Sequence, residues 1–223
     1  MHTVTLQRSN ETFTVGKILC VGRNYAEHAK EMKSDVPGSP VIFLKPPTAI
    51  VADGGTVVIP SISKDVHHEV ELTVLIGQGG KNIPREFAFE YVAGYGVGLD
   101  MTLRDVQAEA KKKSLPWTLA KGFDTSAPLS EFVPASSVKD PHVLDLQLSV
   151  NGSVRQKSNT RHFIFQVDEL ISYISKIITL ERGDVLFTGT PEGVAQVKSG
   201  DKLKGQLAAP DGTMLTSIVV SVQ

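Results

Sequence analysis

The chain has 223 residues, enough for one large domain with a sizeable hydrophobic core, and its 23 basic and 24 acidic residues leave a net charge of −1. No basic stripe favours nucleic acid, and no polybasic or amphipathic segment favours a membrane surface. No apolar run approaches the roughly 18–20 residues of a spanning helix. The sequence therefore predicts neither a nucleic-acid nor a membrane partner.

The single cysteine, Cys20, lies in the apolar run KILCVG. We interpret it as a small buried hydrophobic residue and not as a nucleophile. One cysteine cannot form a disulfide framework within a chain, which suits a reducing compartment. The N-terminus also lacks the apolar core of a secretory signal. These features predict a cytoplasmic location.

In chain order, short apolar runs bounded by turn residues predict strands, and three longer segments predict helices. The strand runs are KILCVG, PVIFLKP, TVVIP, EVELTVLIG, YVAGYGVGLD, LDLQLSV, DVLFTG and SIVVSV. The helical segments are RNYAEHAKEM, TLRDVQAEAKKK and VDELISYISKII. Thr102 and Asp105 have capping-box spacing in the second, and Asn151-Gly152 predicts a two-residue hairpin turn.

Many strands, few helices and no regular βαβ alternation indicate a β-rich α+β fold. We expect residues 1–223 to form a single domain. About residues 1–40 are a candidate N-terminal subdomain.

The stretch HHEVELTVLIG places Glu69 and Glu71 on the same face of a predicted strand, because successive side chains alternate. That face is either exposed to water, or its acids bind a cation. Asp100 ends the apolar stretch YVAGYGVGL, where a buried strand meets a helix. Three carboxylates form an oxygen-only ligand set that suits Mg²⁺, Mn²⁺ or Ca²⁺.

Histidines and glycines lie near these acids in the sequence. His67 and His68 point to opposite strand faces, so at most one joins the acids, and the alternation favours His67. The interpretation as an ordinary core or supporting histidine is the stronger one. The GxGxG spacing of GYGVG differs from a dinucleotide fingerprint and predicts close approach of another backbone.

Further polar residues lie on predicted helices. His28 and Glu31 are three positions apart and share a helical face, which fits a base oriented by a carboxylate or an ordinary surface pair. Arg104 and Gln107 share a face in the same way. Lys121 lies in the otherwise uncharged run LPWTLAKGF, where a lysine either snorkels to water or meets an anion.

Together these motifs resemble the fumarylacetoacetate hydrolase family, closest to its short acylpyruvases that also decarboxylate or tautomerise oxaloacetate. The segments that carry the resemblance are GRNYAEHAKEM, PVIFLKP, HHEVEL, GVGLDMTLRDVQ, LPWTLAKGFD, VNGSVRQ and GDVLFTGTPEGV. The resemblance runs from about Lys17 to Asp201. It implies a mixed β-roll of the fumarylacetoacetase C-terminal-like type with a few flanking helices, and a homodimer.

The resemblance also implies roles for individual residues. The implied ligands of Mg²⁺ or Mn²⁺ are Glu69, Glu71 and Asp100. The implied catalytic residues are His28 and Glu31, which activate water from a lid helix, and Lys121, which stabilises a developing enolate. The implied substrate contacts are Arg23, Arg104, Gln107 and Thr190, with Lys121 beside them.

The resemblance predicts a metal-dependent hydrolase that cleaves acylpyruvates to pyruvate and a carboxylic acid and also decarboxylates oxaloacetate. The substrate is a small 2-oxo acid. One alternative is an oxaloacetate keto–enol tautomerase or a 2-hydroxymuconate-type isomerase, which needs no activated water. Another is a non-catalytic β-rich binding module, which distant and exposed acids would favour.

Overall fold

The computed structural model describes residues 2–9, 11–32 and 35–223. In these ranges the first nine strands are β1 (Thr3–Thr5), β2 (Thr12–Thr14), β3 (Ile18–Gly22), β4 (Val41–Lys45), β5 (Ile50–Val51), β6 (Thr56–Val57), β7 (Val66–His68), β8 (Val70–Ile76) and β9 (Val92–Leu99). The others are β10 (Thr102–Leu103), β11 (Ala127–Pro128), β12 (Val133–Pro134), β13 (Asp145–Val150), β14 (Ser153–Asn159), β15 (Val185–Phe187), β16 (Ala195–Gln196), β17 (Lys202–Ala208) and β18 (Met214–Val222).

The α-helices of the described ranges are α1 (Ala26–Glu31), α2 (Arg104–Lys112), α3 (Thr118–Lys121) and α4 (Val167–Ile177). Short 3₁₀ helices span Pro47–Ala49, Arg85–Tyr91, Ala135–Ser137, Pro141–Val143 and Thr160–His162. No α-helix in the described part of the chain combines the length and hydropathy needed to span a bilayer.

Two mixed sheets form the core. The larger sheet has the order β12-β9-β8-β15-β3-β4, with β15 and β3 parallel and the other neighbours antiparallel. The second has the order β14-β13-β17-β18-β6, with only β18 and β6 parallel. Strands β13, β17 and β18 contact β8 and β9, so the sheets bury a common apolar core. The predicted β-rich α+β fold with a few helices is confirmed.

Local sequence signals explain several elements. Asn151 and Gly152 have φ values of 51° and 82°, so the predicted hairpin turn joins β13 to β14. On α4, helical spacing predicts a core-facing apolar stripe, and Leu170, Ile171 and Ile174 are buried. Ile177, predicted to face the core as well, is 64% exposed at the end of the helix. The glycines of β9 admit close neighbours: a Cβ at Gly98 would lie 2.6 Å from the Phe187 ring.

The predicted capping box is wrong. Helix α2 begins after Leu103, because Thr102 and Leu103 pair with β7 as a short strand. The carboxylate of Asp105 accepts hydrogen bonds from the Ser63 hydroxyl (2.6 Å) and the Lys64 amide (2.9 Å). It therefore connects the helix to the loop before β7 instead of capping its own helix.

The predicted strand through HHEVEL is broken at Glu69. Strand β7 belongs to a three-stranded sheet with β10 and β16, whereas β8 lies inside the six-stranded sheet. Every residue of Val70–Ile76 is buried, because the sheet is covered on both faces. The interpretation of a water-exposed acidic face is therefore wrong.

Candidate active site and metal centre

Three buried carboxylates meet where β8 and β9 lie side by side. Glu71 pairs with Gly98 in the antiparallel register, and the Asp100 amide donates to the Glu69 carbonyl at 2.8 Å. One carboxylate oxygen from each of Glu69, Glu71 and Asp100 lies within 4.8 Å of the others. The exposed-acid alternative required distant, solvated side chains, and these three acids are neither.

Three cationic side chains surround this carboxylate cluster. The Lys121 ammonium donates to Glu69 (2.8 Å), to Asp100 (2.6 Å) and to the Thr102 hydroxyl (2.6 Å). Lys45, which the sequence analysis missed, lies 2.8 Å from the other Asp100 oxygen and is 1% exposed. The Arg104 guanidinium donates to Glu69.

The cations are unevenly distributed, and the pKa values of the two glutamates move in opposite directions. Burial alone would raise the pKa of Glu69, but Lys121, Arg104 and His28 hold it well below its ordinary value. Burial and the carboxylates of Asp100 and Glu69 raise the pKa of Glu71 well above its ordinary value. Lys121 and the Gly189 amide, which donates to Glu71 at 2.6 Å, oppose that rise without cancelling it.

This donor set fits a hard divalent cation. It offers buried carboxylate oxygens, and the negative charge of Glu71 is incompletely balanced by protein cations. No soft ligand joins it in the described part of the chain. His67, which strand alternation favoured as a neighbour, instead lies 2.9 Å from Asp65. His68 bonds to Gln156 at 3.0 Å.

His28 and Glu31 form the predicted pair on α1. Nδ1 of His28 lies 3.3 Å from a Glu31 oxygen, and the imidazole is buried. The Glu31 carboxylate is 35% exposed and accepts from the Gly193 amide at 3.1 Å. Because Nδ1 faces Glu31, Nε2 is the nitrogen left to exchange a proton in the cavity.

One cavity of about 30 Å³ unites these groups. It is lined by nine of the ten residues predicted for the site, namely Arg23, His28, Glu69, Glu71, Asp100, Arg104, Gln107, Lys121 and Thr190. The tenth, Glu31, contacts Nδ1 of His28. Arg23 has a φ of 61°, a left-handed conformation uncommon for a residue other than glycine.

Comparison with known protein families gives a match that includes the whole site. The family described as fumarylacetoacetate (FAA) hydrolase C-terminal matches residues 17–219. The chain belongs to this family. The match covers every residue predicted for the site, and the observed fold is the fold of the family's solved structures.

Relatives within the family include two named enzymes and a solved structure. The mouse protein named oxaloacetate tautomerase FAHD1, mitochondrial, is 55% identical over 84% of this chain and 85% of its own. The protein of that name from Arabidopsis thaliana is 52% identical over 91% and 90%. Fumarylpyruvate hydrolase from Pseudomonas aeruginosa, solved with Mn²⁺ and pyruvate, is 42% identical, with a TM-score of 0.91 over 99% of this chain and 94% of that one.

Six further residues that line the cavity were missed by the sequence analysis. They are Val21, Gly22, Met32, Phe43, Lys111 and Trp117. The Lys111 ammonium lies 5.2 Å from the Trp117 ring centre, and Lys111 follows Gln107 by one helical turn. That spacing from Arg104 and Gln107 was the signal available in the sequence. By contrast, the predicted contact Thr190 already uses its hydroxyl on the Val70 carbonyl at 2.8 Å.

Proposed function

We propose that the protein is a divalent-metal-dependent hydrolase that cleaves the C–C bond of acylpyruvates, releasing pyruvate and a carboxylic acid. The observation that carries the proposal is the buried His28, which contacts the partly exposed Glu31 and lies on the wall of the cavity that contains the carboxylate cluster. A base beside a site for a 2-oxo acid is what hydrolysis with activated water requires.

Glu69, Glu71 and Asp100 would hold Mg²⁺ or Mn²⁺. When bound, the cation supplies Lewis-acid stabilisation for negative charge on the 2-oxo oxygen. The Pseudomonas aeruginosa relative, described with Mn²⁺ and pyruvate, supports this assignment. Because burial and the neighbouring carboxylates raise the pKa of Glu71, binding of the cation would displace a proton from this carboxyl.

His28 provides the base. Its Nδ1 faces Glu31, so Nε2 removes a proton from water, and the hydroxide adds to the distal carbonyl. The bond between that carbon and the methylene carbon then breaks, and its electron pair forms the pyruvate enolate. The proton held by His28 is available to convert the enolate to pyruvate. Glu31 stabilises the imidazolium between these steps.

Cationic groups hold the substrate. Arg23 and Arg104 line the cavity and would bind its carboxylate, and the Gln107 amide would orient it. Lys121 lies at the carboxylate cluster, where its charge would oppose that of the enolate. Thr190 would act mainly through its backbone, because its hydroxyl is already engaged.

The cavity of about 30 Å³ holds an ion or one or two waters but not a 2-oxo acid. Admission of substrate therefore requires a wall to move. Helix α1 is suited to this role, since it is short and Glu31 at its end is partly exposed. We propose α1 as a lid within a single catalytic domain.

Oxaloacetate is a second expected substrate. Loss of CO₂ leaves the same pyruvate enolate without attacking water, so decarboxylation needs the cation and Lys121 but not a hydroxide. The curated relatives named oxaloacetate tautomerase favour a second candidate function, keto–enol exchange of oxaloacetate. That reaction moves a proton between C3 and the 2-oxo oxygen, and His28 could transfer it.

Kinetics on metal-saturated protein separate the candidates. Pyruvate release should be measured from acetylpyruvate, fumarylpyruvate and oxaloacetate, and decay of the oxaloacetate enol should be followed by ultraviolet absorbance. Catalysed pyruvate release from either acylpyruvate is the expected result. Catalysed enol decay without cleavage of any acylpyruvate would replace the hydrolase with the tautomerase. Inactivity in all these assays would contradict both.

A further inference from the structure

The peptide segment between the two glutamates is held from both sides. Val70 separates Glu69 from Glu71 in the chain. Its amide donates to Oε1 of Gln156 at 3.1 Å, and its carbonyl accepts from the Thr190 hydroxyl at 2.8 Å. Because both carboxylates are attached to residues adjacent to Val70, the orientation of this segment sets the direction of both. We call Val70, Gln156 and Thr190 the Val70 clamp.

Gln156 of β14 is 1% exposed and uses both ends of its side-chain amide. Oε1 also faces Nδ1 of His68 at 3.0 Å, and Nε2 donates to the Thr190 hydroxyl and the Pro191 carbonyl, each at 2.9 Å. The amide therefore joins the start of β8 to the loop of residues 188–193.

The 188–193 loop contacts two groups of the proposed machinery. The Gly189 amide donates to Glu71 at 2.6 Å, and the Gly193 amide donates to Glu31 at 3.1 Å. Both glycines have positive φ, 98° and 93°, so the loop has a specific conformation that presents these two amides. Gln156 binds the loop between them.

We propose that Gln156 is a positioning residue that orients Glu69 and Glu71 toward the cation and holds the 188–193 loop against Glu71 and Glu31. The inference rests on the proposed function, because it requires these glutamates to bind a metal. Groups that hydrogen-bond around metal ligands typically contribute about 10–100-fold to metal affinity or activity.

A matched control exists outside this loop. The buried Thr216 hydroxyl of β18 donates to the Glu131 carbonyl at 2.9 Å, as Thr190 does to Val70. Thr216 lines neither the cavity nor the Val70 clamp. Thr216→Val therefore removes a comparable buried hydrogen bond without changing the clamp or its loop.

The test is a Mn²⁺ titration of folded protein from which metal has been removed. Calorimetry measures the Kd, and electron paramagnetic resonance records the signal of the bound ion. Gln156→Met should raise the Kd for Mn²⁺ by about 10–100-fold and alter the signal. Thr216→Val should lower the melting temperature while leaving the Kd and the signal unchanged.

If Gln156→Met does not fold, Thr190→Val, which removes the hydroxyl shared by Gln156 and Val70, should raise the Kd in the same direction. An unchanged Kd in the clamp variants, or an equal increase in Thr216→Val, would overturn the inference while the proposed function stands. Absence of Mn²⁺ binding by the unmodified protein would contradict the proposed function and, with it, this role of Gln156.

Discussion

The charge of Lys121 is buried among the carboxylates that we propose as metal ligands. Its ammonium contacts Glu69, Asp100 and Thr102. Burial lowers the pKa of Lys121, but the carboxylates of Asp100 and Glu69 outweigh this effect and raise the pKa above its ordinary value. Removal of one partner from a buried ion pair leaves uncompensated charge. In the presence of chelator, Lys121→Met should therefore lower the free energy of unfolding by about 3 kcal/mol or more.

Denaturant unfolding with chelator and with saturating Mg²⁺ measures this effect. The loss should shrink with Mg²⁺, because the cation supplies charge that Lys121 no longer provides. Lys112→Met is a suitable control, since Lys112 is exposed on the neighbouring helix. Unchanged stability of Lys121→Met together with a loss of turnover would limit Lys121 to a role in catalysis.

The two reactions proposed for this site differ in their need for His28. Hydrolysis requires a base to produce hydroxide, whereas decarboxylation does not. His28→Ala should reduce kcat/KM for acylpyruvate hydrolysis by about 10²–10⁴-fold, the usual contribution of a positioned base. A larger fraction of oxaloacetate decarboxylation should remain. Both rates are to be measured on metal-saturated, folded protein.

Glu31→Gln is the milder companion variant, because it keeps the imidazole and weakens only its orientation. Like His28→Ala, it should reduce kcat/KM for hydrolysis more than for decarboxylation, but by a smaller factor. Equal losses for both substrates would mean that His28 closes the lid or binds substrate and does not activate water.

At the scale of elements, the N-terminus of α4 is capped by a histidine. Nε2 of His142 accepts the Val167 amide at 3.2 Å and must be unprotonated to do so. Burial lowers the pKa of His142 below its ordinary value of 6.5, although Asp168 and Asp140 partly oppose this. As the pH falls, His142 therefore becomes protonated in the unfolded chain before it does so in the folded protein. The free energy of unfolding should decrease as the pH falls from 6.5 toward the lower pKa of the folded state.

Urea unfolding between pH 7.5 and 5 tests the cap. His142→Gln should make the unfolding free energy depend less steeply on pH, because the glutamine side chain does not titrate. His67 and His68, whose pKa values burial also lowers, should leave some slope in both proteins. Identical slopes for the variant and the unmodified protein would show that the cap does not couple to pH.

Across the whole molecule, local periodicity predicted the long helices and the 150–153 hairpin because these depend on neighbours in the chain. The break at Glu69 could not be predicted locally. It arises because β7 pairs with β10 and β16, which are distant in sequence. The strand alternation of HHEVEL therefore left two environments open for Glu69 and Glu71, water or a cation, although their shared direction was a sound indication of a site.

Likewise, only some of the residues of the site could be predicted from the sequence. Spacing could pair Glu69 with Glu71, but their meeting with Asp100 depends on the register of β8 and β9. Lys45 was missed because a lysine at a strand end usually reaches water, whereas here it reaches Asp100. For Lys121, an anionic partner was one of two interpretations, and local sequence could not identify the protein's own carboxylates as that partner.

The assembly state remains a prediction of a homodimer. Strand β4 is an edge of its sheet, and beside it the surface formed by Leu44, Leu115 and Leu119 is exposed and apolar, with Leu119 69% exposed. Light scattering should give twice the mass of one chain. Leu119→Glu should shift the protein toward monomer, whereas Val154→Glu, on another exposed site, should not. A monomer at all concentrations would contradict the prediction.

The central claim is that Glu69, Glu71 and Asp100 bind a divalent cation that the reaction requires. The most direct measurement is pyruvate release from acetylpyruvate after removal of metal with chelator, and again after addition of excess Mg²⁺ or Mn²⁺. We predict that chelator abolishes turnover and that either cation restores it. Full activity in chelator would contradict the claim.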